Sequence, residues 1–143
     1  MENMTEFVSD VKTIPHSNTD VYRVLSDLSK LEQVKHRLPE DKISDFTFDS
    51  DFVSFQADPI GGIKFVVVER ETNKLVKLKS EAMPFDIFLW VQLVPKDENE
   101  TKLRLTVRAE FNPFIKGMIE KPMKEAIDKI SDVLVALPYG EIG

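Results

Sequence analysis

From Lys102 to Phe111 every second residue is apolar: Leu103, Leu105, Val107, Ala109 and Phe111 alternate with Lys102, Arg104, Thr106, Arg108 and Glu110. Successive side chains of a strand point to opposite faces, so this segment predicts a strand with one face in a core and one in water. The same period governs the chain from Lys42 onward. Phe46 and Phe48 alternate with Thr47 and Asp49, and Val53, Phe55 and Ala57 with Ser54 and Gln56. Ile63, Phe65 and Val67 follow the turn Asp58-Pro59-Ile60-Gly61-Gly62; after Glu71-Thr72-Asn73-Lys74 come Val76, Leu78 and Ser80. Phe85, Ile87, Leu89, Val91 and Leu93 form a further run, closed by a polar turn from Pro95 to Glu100. Turns this short join antiparallel neighbours.

One-faced strands need apolar cover, and the cover follows at once. Asn112 and Pro113 make an N-cap and first-position pair. They open a long helix with the stripe Ile115, Met118, Ile119, Met123, Ala126, Ile127, Ile130, Val133, Leu134 and Leu137, ended by Pro138. At about 1.5 Å per residue the helix spans on the order of 35 Å, enough to cross a whole sheet.

Upstream, Phe7 to Ile14 reads as a strand with Phe7 and Val11 on one face and Val8 and Ile14 on the other. Pro15 stops it. Ser17, Asn18 and Asp20 then offer cap and first-turn residues for a short helix bearing Val21, Val24, Leu25 and Leu28. Ser29 and Glu32 have capping-box spacing for a second short helix through Val34 and Leu38, with Pro39 as its stop. The fold class predicted is α+β: seven antiparallel strands, two short helices between the first and second, and a long C-terminal helix. No repeat or linker divides the chain, so residues 1–143 read as a single domain.

The side-chain inventory is poor in reactive groups. There is no Cys, which removes thiolate nucleophiles and Cys-bound zinc, and only two His. His16 and His36 stand twenty positions apart without the paired spacing of metal ligands, so neither a metal nor a cofactor is expected. Net charge is −6, which disfavours nucleic acid and anionic lipid surfaces. No run approaches the roughly 18 apolar residues of a membrane span, so stable membrane insertion is not expected. Met1-Glu2-Asn3-Met4-Thr5-Glu6 has neither the basic region nor the apolar run of a signal peptide, so the expected location is cytoplasmic.

Phe is abundant, with ten in the chain. Phe46, Phe48, Phe55, Phe65, Phe85 and Phe111, with Met118 and Met123, could line a cavity or fill an ordinary core. Pro122 lies inside the long helix, where it frees the Met118 carbonyl and bends the axis, as a gate or as a plain shape match. Phe88 and Trp90 lie on the strand face opposite Ile87, Leu89 and Val91; they offer a homodimer contact if that face is outside. Asp86 is a carboxylate between Phe85 and Ile87, a general base if buried and a surface residue otherwise.

The strand into Ile14-Pro15, the segment Val21-Tyr22-Arg23-Val24-Leu25-Ser26-Asp27-Leu28, Thr101-Lys102-Leu103 and the closing helix resemble the START-like, or SRPBCC, superfamily. That superfamily includes START lipid-transfer domains, birch-pollen-type allergens, polyketide cyclases and aromatases. The resemblance spans the chain and implies a helix-grip fold, a curved sheet wrapped around the helix with an apolar cavity between them. It leads to an expected function: non-catalytic binding or transport of an apolar small molecule (lipid, polyketide or isoprenoid-like). The expected ligand-binding residues are Phe55, Phe65, Val67, Leu89, Val91, Leu105, Val107, Ile119, Met123 and Ile127. The alternatives are a cyclase or aromatase-type enzyme, and a protein-interaction module acting through Phe88 and Trp90.

Overall fold

The computed structural model describes residues 4–38, 43–57, 61–83, 85–110 and 113–143. In chain order the elements are β1 (Met4–Val8), β2 (Lys12–Ile14), α1 (Asn18–Leu25), a 3₁₀ segment (Leu28–Arg37), β3 (Ile43–Phe48) and β4 (Phe52–Ala57). Then come β5 (Gly61–Glu71), β6 (Leu75–Glu81), β7 (Ile87–Asp97), β8 (Glu100–Glu110), α2 (Pro113–Ala136) and a 3₁₀ turn (Tyr139–Glu141). The strands form one antiparallel sheet in the order β1-β8-β7-β6-β5-β4-β3; β2 also pairs with β8, so β1 and β2 share one edge position and the sheet is seven positions wide.

The first strand departs from simple alternation. Pairing runs Val8 with Thr106 but Lys12 with Leu103, so one extra residue sits between them. Ser9 fills the break: its N–H donates to the Leu105 carbonyl and its Oγ accepts from the Leu105 N–H, each at 2.9 Å. An inserted residue reverses the facing of all that follows. Phe7 and Ile14 therefore point inward together, while Val8 and Val11 are exposed, which corrects the expected pairing of Phe7 with Val11.

Two more insertions act alike. Asp45 (φ 56°) bulges β3, which turns both Ile43 and Phe46 inward, and Val68 bulges β5. Each bulge adds bend and twist, and together they curve the sheet around α2.

Ser17 caps α1, its Oγ accepting from the Asp20 N–H at 3.2 Å. The expected Ser29–Glu32 box does not form. Asp27 caps the 3₁₀ segment instead, accepting from the Ser29 N–H and Oγ, and Glu32 accepts from the Phe48 N–H across the loop. Pro39, Phe111 and Asn112, together with the start of the Asp58–Gly62 turn, lie outside the described residues, as does the Ile115 side chain.

Helix α2 spans 24 residues. Its C-terminal half packs on β1, β2 and β8, where Leu134 and Leu137 join Ile14 and Leu103 in the core. Lys12 of β2 pairs with Asp132 of the helix at 2.5 Å. The first turns differ: Phe114 is 78% exposed and Met118 53%, with Ile119 the first buried residue among the described side chains. Met118 is thus not a wall residue: it is exposed, while its neighbour Ile119 lines the cavity.

Candidate functional site: an apolar cavity beneath the helix

The inward faces of β3 to β8 and the underside of α2 do not close fully on each other. They leave a cavity of about 190 Å³. Period two places Val53, Phe55 and Ala57 of β4, Ile63 and Phe65 of β5, and Leu89 and Val91 of β7 on its wall. Leu105 and Val107 of β8 complete the sheet side, and helical spacing brings Ile119, Met123, Ala126 and Ile127 over them. Leu25, Leu28 and Leu31 close one end from α1 and the 3₁₀ segment.

The structure therefore brings together Phe55, Phe65, Leu89, Val91, Leu105, Val107, Ile119, Met123 and Ile127 on one surface. Val67 is separated from them. It packs against the core next to the Val68 bulge without reaching the cavity. Sequence reasoning missed the contribution of Leu25, Leu28, Leu31 and Leu38, and of Pro122, which faces the cavity. The apolar spacing of those four leucines was the available signal.

Four phenylalanines form a connected row along the wall. Phe46 lies 5.8 Å from Phe48 and 5.6 Å from Phe55, and Phe55 lies 6.0 Å from Phe65, all between ring centroids. Such contacts hold the rings in defined positions beyond what area burial gives.

The polar groups lie elsewhere. Among the described residues every side chain lining the cavity is apolar, and no buried side-chain nitrogen or oxygen lacks a hydrogen-bond partner. Burial pushes the Tyr139 hydroxyl up from its ordinary value, but that hydroxyl donates to the Leu134 carbonyl and its ring packs on His16, off the cavity wall. Asp86 is exposed, 3.9 Å from Lys79. His36 is exposed as well, and the described residues hold no cluster of three or more metal-ligating side chains. No helix among them is long and apolar enough to cross a membrane.

Phe88 and Trp90 do face outward, but they are half-buried. Lys77 lies over both rings at 5.0 and 5.2 Å, Lys79 over Phe88 at 5.8 Å and Arg108 over Trp90 at 5.5 Å.

No family model matches the chain, and no curated protein matches it in sequence. Solved structures do match in shape. Norcoclaurine synthase from Thalictrum flavum, in complex with dopamine and hydroxybenzaldehyde, superposes with a TM-score of 0.72 at 12% identity, covering 98% of this chain and 89% of its own. A START superfamily protein from Mycobacterium smegmatis gives 0.67 at 14% identity, covering 97% of this chain and 96% of its own. A protein from Thermus thermophilus gives 0.65 at 19% identity, over 92% and 94% of the two chains. With its curved antiparallel sheet and long C-terminal helix, the chain has the helix-grip fold of the START-like superfamily.

Proposed function

We propose that this protein binds or carries an apolar small molecule (a lipid, polyketide or isoprenoid-like compound) in the cavity between sheet and α2, without acting on it chemically. The observation that carries this reading is the composition of the wall: among the described residues all lining side chains are apolar. Proton transfer by a side chain needs an ionisable group within hydrogen-bond reach of the reacting atom, and the described wall offers none. A space of this kind favours a ligand through desolvation of apolar surface, a term proportional to area and indifferent to exact functional groups. Phe55, Phe65, Leu89, Val91, Leu105, Val107, Ile119, Met123 and Ile127 would make the contacts. We read residues 1–143 as one unit for this purpose.

The enzyme alternative draws on one observation, the likeness in shape to norcoclaurine synthase. At 12% identity that likeness concerns the fold and carries no catalytic residue with it.

Native mass spectrometry of the purified protein tests the proposal, together with binding of an apolar fluorescent probe. A co-purifying apolar ligand or displaceable probe is expected. A protein that is persistently empty and fails to bind the probe would remove the carrier reading.

A further inference from the structure

The wall is graded in exposure. Ile87, Leu78, Leu105 and Val107, on β6 to β8, are between 1% and 5% exposed. Across the cavity Phe48 and Val53, on β3 and β4, are half-buried, as are Met123 and Ala126, which face them from α2. Leu89 of β7, between Leu78 and Val107, is half-buried. The four deepest side chains define the blind end of the cavity, and its cover is looser where Phe48 and Val53 face Met123 and Ala126.

Among the described residues no side chain lining the blind end can serve a heteroatom. The peptide groups of β6, β7 and β8 are engaged in the sheet ladder through Leu78–Leu89 and Leu89–Val107 pairing. The buried Ser80 hydroxyl, between β6 and β7, accepts from the Ile87 N–H at 2.9 Å and lies off the cavity wall. A hydroxyl or carbonyl pushed to this end would lose its water and find no partner.

Size sets a second limit. An apolar cavity of about 150 Å³ takes the six carbons of benzene, or roughly 25 Å³ per carbon. The 190 Å³ here then holds about eight carbons, or about ten if the half-buried Met123 side chain yields.

Resting on the carrier reading above, we infer that the ligand enters by a hydrocarbon segment of about eight to ten carbons that carries no hydrogen-bonding atom, with its polar group left at the β3–β4 side. A medium-chain alkyl or monoterpene-like unit fits this description. An oxygen-rich polyketide does not.

The test is competition against bound anilinonaphthalenesulfonate, using n-alkanols from hexanol to dodecanol and the terminal diols of matching length. Alkanol affinity should rise about fourfold per methylene and level off between octanol and decanol. The diols must bury one hydroxyl at the blind end and should bind at least about tenfold more weakly than alkanols of equal length. Affinity that climbs unabated to dodecanol, or diols that match the alkanols, would overturn the inference and leave the carrier reading in place. A dye that does not bind, or that no alkanol displaces, would overturn both.

Discussion

Arg23 of α1 donates to the Tyr139 carbonyl at 2.8 Å, and its other terminal nitrogen donates to the Ile142 carbonyl at 2.7 Å. The pair ties the first helix to the segment that follows α2, and it seats Tyr139 and Ile142 in the core. One end of α2 is therefore anchored, while Phe114 and Met118 near its other end are exposed.

Arg23→Met keeps the aliphatic stem and removes both charge-assisted bonds. The Tyr139 and Ile142 carbonyls lose their donor, so the variant should be less stable by about 1–3 kcal/mol. Urea unfolding checks this. Probe affinity measured where the variant is folded should stay near wild type, because Arg23 does not line the cavity.

Pro122 lies between the anchored end of α2 and the turn that exposes Met118, and it lines the cavity. Proline supplies no N–H to the Met118 carbonyl, which leaves the helix softer there. Pro122→Ala restores the missing bond and should slow probe release severalfold, read by stopped-flow displacement. Equal release rates in the two proteins would remove the gating role and leave Pro122 as a shape-matching bend.

Leu105→Ala enlarges the blind end of the cavity. Loss of the buried side chain should cost about 2–5 kcal/mol in the empty protein. A longer alkanol should recover part of that loss, with the preferred chain longer by about three carbons. Thermal unfolding with and without alkanol reads both effects, and an unchanged chain-length optimum would contradict this placement of Leu105.

Acid stability has a local origin at Asp27. The Ser29 hydroxyl donates to Asp27 Oδ1 at 2.6 Å and holds the carboxyl below its ordinary value of 3.8. A depressed pKa adds stability that is present above about pH 4 and lost as pH falls through the folded value. Asp27→Asn keeps an acceptor oxygen without the titration. The stability gap between wild type and variant should therefore be widest near neutral pH and shrink below about pH 4, measured by urea unfolding across that range.

Phe88 and Trp90 test self-association. Lys77, Lys79 and Arg108 cover the two rings, and a two-fold contact through this face would set those cations against their own copies. Sedimentation at high protein concentration should give a monomer at low salt. A dimer that dissociates on Trp90→Ser would show that the face is an interface.

Much of this architecture was legible from spacing. The alternation in β8 marked Leu103, Leu105, Val107 and Ala109 as inward residues, and all four are buried. The cavity wall was legible to the extent that it follows uninterrupted periods, as for Phe55 and Phe65 or Ile119, Met123 and Ile127. Where the period breaks, spacing misleads. Val11 was placed with Phe7 because the insertion at Ser9 is visible only against the partner strand β8. Val67 has the right parity but stands beside the Val68 bulge, away from the wall. Met118 belongs to the apolar stripe of α2, yet it is exposed while its neighbour Ile119 lines the cavity.

The sequence by itself determined which side chains share a face within each unbroken strand and helix, that the long helix ends before Pro138, and that reactive groups are scarce. Those are local properties, set by backbone geometry over a few residues. Only the tertiary structure decided that the apolar faces leave about 190 Å³ between them, which end of that space is blind, and how much of α2 is covered. Packing density depends on how distant faces converge, and the insertions at Ser9, Asp45 and Val68, which bend the sheet, are defined only by the partner strands.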